Sequence, residues 1–174
     1  YTRIGIVEML ESVKASDEYT RPVKKSVNGW PVGRGVGIGW WPCGIEISSA
    51  RVMVNHDGGV DVTIGAVDLH GIRTGTAQVV AETLDIEPEE VNVHTADTEG
   101  IPYTGNAAGS RITRTLSQAV FKAGTSVIHQ MKEKMAVRFG IEAEFVEYAD
   151  GYFYARDNQD SKVSFKDAGA AVTK

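Results

Sequence analysis

Cysteine is nearly missing from this chain: Cys43 is the one thiol in 174 residues. That excludes an internal disulfide framework and any cysteine-ligated zinc or iron–sulfur site within the sequence. Cys43 itself, in Trp41-Pro42-Cys43-Gly44, reads as a small interior side chain. No apolar run approaches the roughly 20 residues that a membrane-spanning helix needs, and no secretory h-region is present. Low cysteine without such a segment points to a reducing, cytoplasmic setting. Basic residues are outnumbered, 18 Lys and Arg against 23 Asp and Glu, for a net charge of −5. The basic cluster of Arg21, Lys24 and Lys25 is too small for an extended phosphate-backbone footprint, so nucleic acid is not an expected partner. Repeats and low-complexity tracts are also absent. What remains, 42% apolar and 24% charged residues, is the composition of a folded domain with a real core, expected as one domain over 1–174. Tyr1 stands first and a helical pattern follows almost at once, so we expect a piece of a longer polypeptide that holds part of a site.

Hydrophobic spacing predicts a helix over 4–19 through Ile6, Met9, Leu10 and Val13, ending before Pro22. Residues 22–33 read as a surface connection. Arg34 to Trp41 carries glycine at every second position, which predicts a strand with one bare face approached by another element. The run lacks the following helix that a dinucleotide fingerprint requires. Two β-rich runs, 47–56 and 60–67, flank Asp57-Gly58-Gly59 and predict a hairpin. Ala77, Val80, Ala81 and Leu84 then fit a helix capped by Thr74. Val91–Thr95 reads as a short strand and 96–110 as a long irregular loop of small residues. The longest helix follows, with Ile112, Leu116, Val120, Val127, Met131 and Met135 on one stripe and Gly140 placed to cap it. A hairpin around Asp150-Gly151 and a short helix opened by Ser164-x-x-Asp167 complete the chain. The predicted class is α+β, a mixed sheet packed against helices.

Two segments share one chemical design. Asp68-Leu69-His70-Gly71-Ile72-Arg73-Thr74 passes from a strand into a helix, and Ala107-Ala108-Gly109-Ser110-Arg111-Ile112-Thr113 passes from the long loop into another. The first amides of a helix lack intrahelical partners and its dipole favours negative charge there. Glycine admits a ligand to the main chain, and Ser and Thr add hydroxyl donors, so each segment suits a phosphate or pyrophosphate. Arg73 and Arg111 would supply charge, Arg111 being the better placed. The alternative is simple helix capping. His56, His94 and His129 have no metal-ligand spacing and read as surface or half-buried residues, whereas His70 either faces a ligand or bonds to backbone. Asp68, Asp97 and Glu99 fix no acid–base geometry, and neither a catalytic residue nor a metal ligand is assigned.

At these loops the chain resembles the molybdopterin-binding large subunit of the xanthine dehydrogenase, aldehyde oxidoreductase and carbon monoxide dehydrogenase family. The resemblance is carried by Arg34-Gly35-Val36-Gly37-Ile38, Asp57-Gly58-Gly59-Val60, Gly65 to Thr74, Ala77 to Glu82, Asp97-Thr98, Pro102, Ala108 to Thr113 and Gln118-Ala119-Val120. It implies one lobe of a molybdopterin-binding domain. It also implies a molybdenum hydroxylase that oxidises an aldehyde or N-heterocycle and passes electrons to iron–sulfur and FAD subunits or domains. The cofactor would be molybdenum–molybdopterin, as the cytosine dinucleotide in many bacterial members. By position, His70, Gly71 and Thr74 would line one cofactor loop, and Ala108, Gly109, Ser110, Arg111 and Thr113 would hold its phosphate or pterin end. The family pattern has Gly-Gln-Gly where this chain has Leu69-His70-Gly71, and its glutamate base lies in a glycine-rich segment that this sequence lacks. The chain alone is therefore expected to be catalytically silent and to need the rest of the subunit. The readings from other classes are a stand-alone anion- or nucleotide-binding module and a non-catalytic structural piece of such a complex.

Overall fold

The computed structural model describes residues 4–172 except Pro42 and Ala96. The chain divides into two units, 1–41 and 42–174. The reason is burial: none of the described residues up to 41 is buried, and the core lies entirely in the second unit.

In the first unit the helix expected over 4–19 is split into α1 (Ile6–Ala15) and α2 (Asp17–Thr20). Ser16 breaks it with an extended ψ of 150°, and its Oγ accepts the Tyr19 amide at 3.3 Å. The expected connection contains a small ribbon, β1 (Ser26–Val27) and β2 (Trp30–Pro31), joined by Asn28 and Gly29. Their φ values of 51° and 81° are what a tight turn between twisted strands requires. Arg34–Trp41 does not form the predicted strand. Among the described residues, positions 33, 35, 37 and 39 have no neighbouring heavy atom within 4 Å of where a Cβ would stand, so none of them approaches the bare face. Alternating glycine offers little side-chain packing to offset the backbone entropy of an ordered strand.

The second unit is built on a three-stranded sheet in the order β3 (Ala50–Val54), β4 (Val60–Ile64), β5 (Val91–His94). The β3–β4 pair is the predicted antiparallel hairpin, with Gly58 at φ 83° and the Gly59 amide donating to Asp57 Oδ1 at 2.9 Å. β4 and β5 pair in parallel, Val60 opposite Val91, and are joined through α3 (Ile72–Leu84). Val60, Val62 and Ile64 are wholly buried with Val80 and Leu84 of α3 and with Leu116 and Val120 of α4 (Ile112–Phe139). Each such side chain contributes about 1.5–3 kcal/mol of transfer free energy. Gly140, at φ 69°, caps α4 as predicted, and the Ile141 amide reaches back to the Ala136 carbonyl at 3.1 Å.

A second sheet, β6 (Val146–Ala149), β7 (Tyr152–Ala155) and β8 (Asn158–Ser164), packs against α4. Its third strand was not anticipated, because five of its residues are exposed and polar and only Val163 is buried. Tyr148 ties the sheet to α3: its hydroxyl donates to the Leu84 carbonyl and its ring lies 4.3 Å from that of Phe153. Burial, then the nearby Asp85 charge, pushes the Tyr148 phenol well above its ordinary value. Ser164 opens α5 (Phe165–Val172), its Oγ accepting the Asp167 amide at 3.1 Å. The class is α+β, as predicted.

Candidate functional site

Parallel pairing gives the site its place. Because β4 and β5 run the same way, their carboxyl ends share one edge of the sheet. From one, residues 65–71 lead into α3; from the other, residues 95–111 lead into α4. The crevice outside the carboxyl ends of parallel strands is where open α/β sheets gather ligands. The two loops meet closely: a Cβ on Gly65 would stand 2.2 Å from the Pro102 carbonyl oxygen and 3.0 Å from Thr104 Oγ1. Thr104 also bridges to Ser48, drawing residues 44–49 into the same structure.

Both helix starts have the same backbone design. His70 and Gly71 take φ values of 59° and 75°, and Gly109 and Ser110 take 63° and 52°. Each is a consecutive pair in the left-handed region immediately ahead of a helix. For the non-glycine members, His70 and Ser110, this conformation costs on the order of 1–2 kcal/mol. Gly71 is the N-cap of α3, correcting the expectation that Thr74 caps it; Thr74 is the third helical residue. The capping is done instead by Asp68, whose Oδ1 accepts the Arg73 amide at 3.2 Å.

His70, Gly71, Thr74, Ala108, Ser110 and Thr113 are exposed and Gly109 is half-buried. Neither N-cap residue supplies a side-chain cap. Among the described residues the amides of Thr74, Ile112, Thr113 and Arg114 make no hydrogen bond. Thr74, Thr113 and Arg114 are exposed and Ile112 is half-buried, so unpartnered donors gather at both helix starts, as an anion site requires.

Arg111 behaves differently from expectation. Its side chain is 0% exposed, so the guanidinium is turned into the protein and does not offer itself at the open helix start. Nη1 donates to the Glu46 carbonyl at 3.0 Å, to Thr115 Oγ1 at 3.2 Å and to Ser48 Oγ at 3.4 Å. Nη2 stands 3.2 Å from Glu46 Oε2 but outside hydrogen-bond alignment, and Nε is likewise unpartnered. The other Glu46 contacts fasten the loop: Oε2 accepts the Asn106 amide at 2.9 Å. Gly44 and Gly105 let the backbone close over the arginine, for a Cβ on either would stand 2.8 Å or less from its side chain. Sequence reasoning missed Glu46, since nothing local marks a partner 65 residues away.

The remaining candidates are spent on structure. Asp97 Oδ1 accepts the Glu99 amide at 3.0 Å and closes a turn. His94 Nε2 lies 3.0 Å from Asp61 Oδ1, and His129 is 3.6 Å from Glu133 one turn along α4. Hydrogen bonds from Asn55, then His94, hold the Asp61 carboxyl below the ordinary carboxylate value despite partial burial.

Two adjacent loops of this kind, each ending in a left-handed pair and a helix start with unpartnered amides, suit a polyanionic guest. The family described as the molybdopterin cofactor-binding domain matches residues 8–174. The chain belongs to that family. The gamma subunit of the 6-hydroxypseudooxynicotine dehydrogenase complex of Paenarthrobacter nicotinovorans is 28% identical over 166 residues, 94% of this chain and 21% of its own length. The xanthine dehydrogenase molybdenum-binding subunit of Escherichia coli O157:H7 is 38% identical over 87 residues, 45% of this chain and 12% of its own. This cofactor-binding domain chain thus spans about a fifth or less of these relatives. In fold it is similar to CO dehydrogenase from Oligotropha carboxidovorans, with a TM-score of 0.67 and 21% identity over 72% of this chain and 16% of that one.

Proposed function

We propose that this molybdopterin cofactor-binding domain supplies one lobe of the cofactor site in a molybdenum hydroxylase of the xanthine dehydrogenase type. The observation that carries the reading is the pair of helix starts with unpartnered amides at the carboxyl ends of adjacent parallel strands. The residues present fit the group. Unpartnered amides at Thr74, Ile112 and Thr113, with the Ser110 and Thr113 hydroxyls, are donors for phosphate and pterin oxygens. Gly71 and Gly109 let those atoms reach the main chain, and exposed Ala108 adds only a methyl group beside Gly109. His70, held left-handed beside Gly71, presents its ring at the same loop.

Arg111 works from beneath. It holds residues 44–48 and 104–106 against the start of α4 and so fixes the loop that carries Gly109 and Ser110. When bound, the cofactor supplies the two-electron chemistry that places water-derived oxygen on the carbon of an aldehyde or N-heterocycle. This chain's residues bind and orient it, and the catalytic base belongs to another segment. Two donor sets suit a diphosphate, which favours the cytosine dinucleotide form. The partners in this reading are the rest of the molybdopterin-binding subunit, iron–sulfur and FAD subunits or domains, and a small-molecule substrate. The single cysteine supports a cytoplasmic setting.

The test is elemental and organic analysis of the intact protein that contains this sequence. Molybdenum, pterin and CMP in equal amounts are expected. A protein purified active without pterin would overturn the reading. His70→Gln should change the hydroxylation rate while leaving molybdenum content intact; an unchanged rate would give His70 a structural role only.

A further inference from the structure

The sheet has a second face that the cofactor reading does not use. Along β3 the exposed residues are Arg51 and Met53; along β4 and β5 their neighbours are Asp61 and Thr63, then Asn92 and His94. Alternation along each strand puts these six on the side opposite the valines of the core. Arg51 pairs in register with Thr63, and Thr63 with His94, so one row crosses the sheet. Over this row lies a cavity of about 430 Å³, lined also by Arg73 and by Asp97, Gly100 and Ile101. That volume is in the range of small-molecule sites.

The charges in the cavity are unequally committed. Asp61 is held by Asn55 Nδ2 at 2.8 Å and by His94, and Asp97 closes its own turn. Arg51 and Arg73 form no ion pair or side-chain hydrogen bond among the described residues, and neither does the Thr63 hydroxyl. Two forked cations therefore face the same space while the local carboxylates are already engaged. We propose that this face binds a small oxyanion-bearing compound, a carboxylate or a phosphate, between Arg51 and Arg73. The cavity adjoins the helix-start loops, through Arg73 in the first turn of α3 and residues 97–101 of the loop into α4, but it lies on the sheet face and its occupancy is read out separately from the cofactor reading.

The experiment is titration of the intact protein that contains this sequence, perdeuterated and ¹⁵N-labelled, with citrate and, separately, with inorganic pyrophosphate at fixed ionic strength. Saturable shifts at Thr63, His94 and Gly100 are expected for at least one probe, and which probe wins identifies carboxylate or phosphate. Arg51→Gln should weaken that binding at least tenfold, Arg51→Lys less, and Arg138→Gln not at all. Wild-type mapping needs no variant, so a misfolded substitution does not spoil the test. No saturable shift at the sheet face with either probe, or binding that survives Arg51→Gln, overturns the proposal. Shifts confined to Thr74, Ile112 and Thr113 also overturn it while leaving the cofactor reading intact.

Discussion

Arg111 is wholly enclosed and reaches Glu46 twice, donating from Nη1 to its carbonyl at 3.0 Å and placing Nη2 3.2 Å from its carboxylate. The two ends of this contact are unequal. The Glu46 side chain is half exposed, so its charge is screened, whereas the guanidinium has only its protein partners. Arg111→Met should therefore cost about 3 kcal/mol by removing a buried hydrogen-bonded network. Glu46→Gln, which keeps the carbonyl, should cost about 1 kcal/mol or less. Urea unfolding of the two variants checks the asymmetry; equal costs would contradict it.

Gly65 joins β4 to the first site loop at a point where the second loop presses on it. A methyl group there would meet the Pro102 carbonyl oxygen, backbone that cannot rotate aside. Gly65→Ala should destabilise by about 2 kcal/mol, within the usual range for overpacking. It should also raise amide exchange at Thr104 and Gly105, where the loop is forced off Ser48 and Ile47. Gly71→Ala is the contrasting case, with open space around the new methyl group but φ at 75°. Its cost should be about 1 kcal/mol of backbone strain, without loosening the 102–105 loop.

Acid should release the Asp61 contacts. Hydrogen bonds from Asn55 and His94 depress the folded carboxyl below its unfolded value. A depressed folded carboxyl contributes stability that is complete above the unfolded value near pH 4 and is lost as pH falls through the folded one. The stability difference between the wild-type chain and Asp61→Asn should accordingly shrink from about pH 5 downward and be flat from pH 6 to 8. Thermal unfolding of both proteins across that range measures it, and a difference that grew with acid would have the wrong sign.

Much of this architecture could be read from residue pattern because local and tertiary preferences agree there. The β3–β4 hairpin, the α4 stripe, the Gly140 cap and the Ser164 cap each follow from a few neighbouring residues. The two loops stand out in the sequence as candidate anion sites for the same reason, since glycine, hydroxyls and a following helix are all local signals. What escaped is long-range. The burial of Arg111 depends on Glu46, Ser48 and two glycines brought from other segments. Gly71 displaced Thr74 as the cap because Asp68 was already in place to receive the Arg73 amide. At Arg34–Trp41 the alternation was real, but a strand also needs a partner edge, and none pairs with it.

The most direct measurement is a crystal structure of the intact cofactor-loaded subunit at a resolution that fixes main-chain hydrogen bonds. Anionic oxygens of the cofactor should lie about 3 Å from the Ile112 and Thr113 amides, with a second contact at Gly71 or Thr74. A cofactor seated elsewhere, with both helix starts facing only water, would contradict the account.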